Sequence, residues 1–150
     1  NGGVLLNDLE KVASGGELSR MALAMKTVLM HTAQVPTMVF DEIDTGVGGV
    51  TAQKMAEKIA AIATVGQVLC ITHLPQIAAF ADNHIYIEKR SSEDRTATVL
   101  AVLDYNQRLQ ELVRMTAGAT TSRAALESAT ELLLAADGVK ADLRKATFKG

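Results

Sequence analysis

A chain of 150 residues, 48% hydrophobic and 21% charged, has the make-up of one folded globular domain or a piece of a larger one, which excludes intrinsic disorder. With 3% aromatic residues and no Trp, its core must be built from Ala, Val, Leu, Ile and Met. Fifteen basic against seventeen acidic residues, a net charge of -2, exclude a global electrostatic field directed at nucleic acid or a membrane, so any such contact is local or lies outside this chain.

The first dozen residues mix Gly, Asn, Asp and Lys with Val4-Leu5-Leu6 and read as a strand or loop. From Ser14 onward the pattern is helical: Leu18, Met21, Ala22, Met25, Val28 and Leu29 recur at the three- and four-residue spacing of one helix face. Pro36 ends that helix, and Thr37-Met38-Val39-Phe40 predicts a strand buried on both faces, with Asp41-Glu42-Ile43-Asp44 at its C-terminal end. Gly46, Gly48 and Gly49 predict a turn, and Ala52, Met55, Ala56, Ile59, Ala60 and Ala63 a helix that stops near Gly66. Val68-Leu69-Cys70-Ile71 is a second buried strand. Two apolar strands joined by a helix form a βαβ crossover, so the two should be parallel neighbours.

Past Thr72-His73-Leu74-Pro75, Gln76 to Ala81 read as a short helix. Ile85 to Glu88 and Thr96 to Val102, separated by the charged Lys89 to Arg95, predict an antiparallel hairpin at a sheet edge. A helix marked by Leu109, Leu112 and Val113 should end near Gly118, and another marked by Leu126, Leu132 and Leu133 near Gly138. Residues 139–150, with Lys140, Arg144, Lys145 and Lys149, then form a frayed basic tail after a lobe spanning residues 1–138. The single cysteine, Cys70, excludes an internal disulfide and a Cys-rich metal site and fits a reducing cytoplasm. No apolar run approaches the ~20 residues of a membrane span, and Asn1-Gly2-Gly3 does not resemble a signal peptide.

Three groups of residues carry chemistry. Ser14-Gly15-Gly16-Glu17 fits a capping box, in which Ser14 accepts from the backbone N–H of Glu17 and Glu17 reaches back. The paired glycines also bare N–H groups at the positive end of a helix, where a phosphate can approach, and the two readings are compatible. Asp41, Glu42 and Asp44 crowd the end of a buried strand, the place where an α/β sheet holds its ligands. They either terminate the strand or relieve their mutual repulsion through a cation, which points to magnesium and an activated water. His73 leaves the neighbouring strand on the same sheet edge, within reach of the same substrate.

In this order the groups resemble the C-terminal half of an ABC-type ATPase head. Ala13 to Glu17 look like its signature motif, Thr37 to Glu42 like Walker B with the catalytic glutamate, and Thr72-His73 like the switch histidine. Asp41-Glu42-Ile43-Asp44 is the form found in the chromosome-maintenance, SMC-like branch, whereas transporters usually follow the acids with Pro-Thr. Gly48 stands where most of that branch has Asp, and its role does not transfer. The resemblance implies an α/β fold: a mostly parallel sheet flanked by helices with an antiparallel edge hairpin.

It implies ATP and Mg2+ as ligands, with Asp41 holding the metal through water, and Glu42 and His73 as catalytic residues. Ser14, Gly15, Gly16 and Glu17 would grip the ATP of the opposite head. No Gly-x-x-x-x-Gly-Lys-[Ser/Thr] occurs in the chain, so the loop that cradles the β- and γ-phosphates must come from an N-terminal Walker A segment of the same head. The implied partners are that segment, a second identical head, and DNA held through other parts of the full protein, with no membrane. The implied setting is double-strand break repair and recombination on the nucleoid in a bacterial cytoplasm. A transporter nucleotide-binding domain, a protein gated by ATP without turnover, and an unrelated doubly wound enzyme are the alternatives. The presence of Glu42 argues against the second, and the ordered motifs against the third.

Overall fold

The computed structural model describes residues 21–29, 36–41, 43–92, 95–118 and 122–147. The expected strand or loop at the N-terminus, the start of the first helix, and Ser14, Gly15, Gly16, Glu17 and Glu42 lie outside the described residues. The chain divides between Thr72 and His73 into two compact units.

In the first unit, helix α1 (21–29) precedes strand β1 (Thr37–Asp41), helix α2 (Gly49–Ala63) and strand β2 (Gln67–Ile71). β1 and β2 pair in parallel, from Thr37 opposite Gln67 to Asp41 opposite Ile71, as the βαβ reading requires. Pro36, which has no N–H to give, opens this pairing by accepting from the Gln67 N–H at 2.9 Å. On α2 the small and aliphatic residues Ala52, Met55, Ala56, Ile59 and Ala60 fall at helical spacing, and all are buried. The helix closes short of Gly66 through Thr64 and Val65 N–H groups that reach Ala61 and Ile62 carbonyls at 3.2 and 3.1 Å.

β1 corrects one expectation. It alternates, with Met38 and Phe40 buried and Thr37, Val39 and Asp41 exposed, so only one face of the strand is covered. Phe40 is fully buried, worth about 1.5–3 kcal/mol of apolar transfer. Val39, Leu69 and Ile71 all stay about half exposed, and among the described residues no element covers them. The α1 stripe Met21, Met25, Val28 and Leu29 is likewise exposed, and Leu23 turns inward in its place. Lys26 ties α1 to β1: its ammonium donates to the Val39 carbonyl at 2.8 Å and stands 4.6 Å from the centre of the Phe40 ring.

In the second unit, the short helix α3 (Pro75–Ala78) leads to an antiparallel hairpin of β3 (Ile85–Ser92) and β4 (Arg95–Val102), then to helices α4 (Tyr105–Ala117) and α5 (Arg123–Thr147). The hairpin is longer than its apolar segments because the ladder continues through the charged residues to Ser92 opposite Arg95. Asp104 starts α4 with a capping box: its carboxylate accepts from the Gln107 N–H, and the Gln107 side chain accepts from the Asp104 N–H, both at 2.9 Å. Gly118 ends α4 at φ 68°, where a side chain would be strained. Leu112, Val113, Ala129, Leu133 and Ala136 form the buried seam of α4 and α5.

The expected stop near Gly138 does not occur: α5 runs on to Thr147, so most of the presumed frayed tail is helix. The cause is tertiary. Lys140, its side chain only 11% exposed, lies 3.5 Å from Asp82 and 3.3 Å from Asp137, and Arg144 donates to Asp82 at 2.9 Å. These ties hold the last turns of α5 against the loop that follows α3. Arg108 grips the same loop from α4, donating to the Ala79 and Ala81 carbonyls at 3.2 and 2.8 Å.

His84 leads into β3, and its Nδ1 is buried without a hydrogen-bond partner. Burial, aided by the Arg108 charge and opposed by Glu111, holds its pKa below the ordinary histidine value. The folded state therefore favours neutral His84, and the unfolded chain takes the proton first as pH falls. Stability contributed by this group is complete above about pH 6.5 and is lost as pH drops through the lower folded pKa. His84→Gln is expected to flatten that acid limb; urea unfolding of both proteins between pH 7.5 and about 5 measures it, and parallel curves would refute the assignment.

Candidate functional site

Parallel pairing puts the C-terminal ends of β1 and β2 side by side. Asp41, the last ladder residue of β1, follows the exposed parity of Thr37 and Val39 and presents its carboxylate to solvent. Ile43 and Asp44 then turn back into the protein, and both are buried. The Val47 N–H donates to the Asp44 carbonyl at 3.0 Å, closing a turn that Gly46 completes at φ 70°, a conformation that favours glycine. Gly48 is extended at φ -164°, and a Cβ there would meet nothing within 4 Å. Glycine at 48 is therefore not imposed by the backbone or by crowding.

Asp41 and Asp44 do not share one environment. The Asp44 side chain is 1% exposed, and its Oδ2 accepts a 2.5 Å hydrogen bond from the Thr72 hydroxyl at the end of β2. Its negative charge is felt next door: burial first, and Asp44 second, push the Cys70 thiol up to about 11, so Cys70 is a neutral thiol and not a nucleophile at physiological pH. Of the acidic group Asp41, Glu42 and Asp44, then, Asp44 serves the interior. Among the described residues no group of three or more His, Cys, Asp or Glu side chains is gathered to hold a metal. Asp41 offers one exposed oxygen ligand, which suits Mg2+, an ion that keeps several waters and binds through one or two carboxylates plus phosphate.

The structure thus brings Asp41, Asp44 and Thr72 together at the paired strand ends. His73 is the next residue after Thr72 and opens the second unit. Thr72 enters here as more than a neighbour of His73. It stands 28 residues from Asp44, a separation at which sequence spacing carries no signal, and only strand pairing joins them. A groove of about 430 Å³ between α1 and α2, lined by Leu23, Ala24, Thr27, Met55, Lys54 and Lys58 among others, contains none of the acids.

No family model matches the chain. It is 48% identical over 140 residues to the DNA repair protein RecN of Bacillus subtilis, covering 93% of this chain and 24% of that protein. The RecN of Treponema pallidum is 50% identical over 135 residues (90% and 24%), and that of Deinococcus radiodurans 49% over 133 residues (89% and 23%). The chain thus spans about a quarter of the length of the curated relatives it matches. In fold it is similar to a solved SMC ATPase from work on ATP-driven dimerization and DNA-stimulated activation, with a TM-score of 0.55 at 21% identity, over 75% of this chain and 66% of that one. This chain is thus similar, over about nine-tenths of its length, to one segment of the RecN proteins of three bacteria, and its α/β fold is similar to that of a solved SMC ATPase.

Proposed function

We propose that the chain is part of the ATP-binding and ATP-hydrolysing head of an SMC-like protein of DNA double-strand break repair and recombination, one that dimerises around ATP in the bacterial cytoplasm, on the nucleoid. The observation that carries this reading is the order Ser14 to Glu17, Asp41-Glu42, Thr72-His73 in a chain close to half identical to RecN proteins. Asp41 of this set stands at the C-terminal end of a parallel strand, where such sheets bind ligands.

Each residue then has a task. Asp41 holds Mg2+, through water, and the ion would draw charge from the β- and γ-phosphate oxygens. Glu42 orients a water in line with the γ-phosphorus and takes its proton as the new P–O bond forms and the bond to the β–γ bridging oxygen breaks, releasing ADP. His73 hydrogen-bonds the γ-phosphate and registers its loss. Ser14, Gly15, Gly16 and Glu17 present N–H and hydroxyl donors to the ATP held by the opposite head. The β- and γ-phosphate cradle comes from a Walker A segment elsewhere in the protein, which would also cover the exposed Val39, Leu69 and Ile71 face. DNA is contacted through other parts. Residues 1–138 form the lobe, to which the helical continuation to Thr147 is added.

Glu42→Gln keeps the shape but removes the base. In the full-length protein, ATP binding should persist, the ATP-bound dimer should accumulate, and hydrolysis should fall by roughly 10²–10⁴-fold. Steady-state turnover with sizing in ATP tests this, and near-wild-type turnover would sink the assignment. Ser14→Arg places a bulky cation where two heads meet around phosphate. The variant should fold and bind ATP at its own site yet fail to dimerise, whereas a mere helix cap would lose dimerisation only in step with a stability loss of about 0.5–2 kcal/mol. Melting curves beside ATP-dependent sizing separate the two.

A further inference from the structure

The backbone ladder between β1 and β2 ends at Asp41 and Ile71. Beyond it, main-chain pairing no longer holds the two strand ends together, and a side-chain bond takes over: Thr72 is the first residue past β2, and its hydroxyl donates to Asp44 Oδ2 at 2.5 Å. Asp44 is buried to 1% exposure, Ile43 beside it to 6%, and the Asp44 carbonyl closes the turn through the Val47 N–H. A hydrogen bond to a buried carboxylate is charge-assisted, short and roughly twice as strong as a neutral one. Asp41 and Asp44, the described acids on either side of Glu42 in sequence, are therefore both fixed to β2, one by the ladder and one by Thr72.

We propose that Asp44 and Thr72 are positioning residues, a latch across the two strand ends that keeps Asp41 and Asp44 in place beside β2 for ATP hydrolysis. The inference rests on the ATPase reading above. It assigns Asp44 a task other than metal binding: its carboxylate serves Thr72, and that bond fixes Asp44 at the strand ends where the ladder holds Asp41. Catalysis is sensitive to such alignment, since displacement of a reacting group by about 1 Å can cost on the order of 10²-fold in rate while binding elsewhere is retained. The latch therefore acts on kcat and leaves nucleotide affinity, which comes mainly from the phosphate cradle, untouched.

Thr72→Val removes the hydroxyl at constant shape, and Thr72→Ser restores it. In the full-length protein, assayed well below each variant's melting temperature, Thr72→Val should lower kcat by about tenfold or more with KM for ATP and ATP affinity within about twofold of wild type, and Thr72→Ser should recover most of the rate. A kcat that falls only in proportion to the folded fraction, a matching rise in KM, or no recovery with serine would overturn the latch. If Thr72→Val does not fold, Thr72→Cys, which lacks the methyl group and puts a weaker thiol donor in place of the hydroxyl, should give a larger loss of kcat than Thr72→Ser at unchanged KM, and a wild-type kcat would overturn the proposal. The wild-type protein is the control for the underlying reading: absence of ATP turnover there removes both, whereas normal turnover with an unaffected Thr72→Val removes the latch alone.

Discussion

Parallel strands cannot be joined by a tight turn. After β1 the chain must cross over the sheet before β2 can pair beside it, and α2 is that crossover. From this constraint follows most of what matters in the first unit. Both strands finish at the same end, so residues far apart in sequence arrive together: Asp41 beside Ile71, and Asp44 on Thr72. The crossover helix buries its Ala52–Met55–Ala56–Ile59 face, and on β1 Met38 and Phe40 are buried while Val39, like Leu69 and Ile71 on β2, stays exposed.

Polar contacts distribute differently in the second unit. Its apolar seam is small-residue and aliphatic, with Ala125, Ala129 and Ala136 beside Leu112 and Leu133, so helices approach closely but bury little area per residue. Cations add specificity to that packing. Arg108 from α4, with Lys140 and Arg144 from α5, converges on the 79–82 loop and engages the Ala79 and Ala81 carbonyls and the Asp82 carboxylate. Free carbonyls after a helix need donors, and long basic side chains supply them while covering apolar surface with their stems. Because Lys140 is nearly buried, its three oxygen neighbours at 3.3 to 3.5 Å offset a desolvation cost that an unpaired ammonium could not sustain.

Much was legible in the sequence, and the reason is local. Apolar runs of four or five residues bounded by Pro, Gly or acids mark strands, and the helical spacing from Ala52 to Ala60 reports a face that packing hides. The stop at Gly118 depends on a neighbour four residues back, the Arg114 carbonyl. The resemblance to an ABC-type ATPase head was legible for a related reason: the residues that carry it, Ala13 to Glu17, Thr37 to Glu42 and Thr72-His73, fall within short stretches of chain.

What the sequence did not contain was direction. It marked β1 as apolar but not which faces would be covered, since that depends on the number of elements packed against the sheet. It marked the α1 stripe but not that Lys26 would reach Phe40 while Met21 and Met25 stayed outside. Gly138 looked like a helix end, yet Asp82, more than fifty residues earlier, holds Lys140 and Arg144 in a continuing helix, because contacts to a distant loop outweigh a glycine's cost of about 1 kcal/mol. Three acids in a row of four residues looked like one cation site; only the pairing of β1 with β2 put a threonine hydroxyl against Asp44 and separated it from exposed Asp41. Composition and spacing decide which residues must be buried or bonded, whereas partners brought together by long-range strand pairing decide to what.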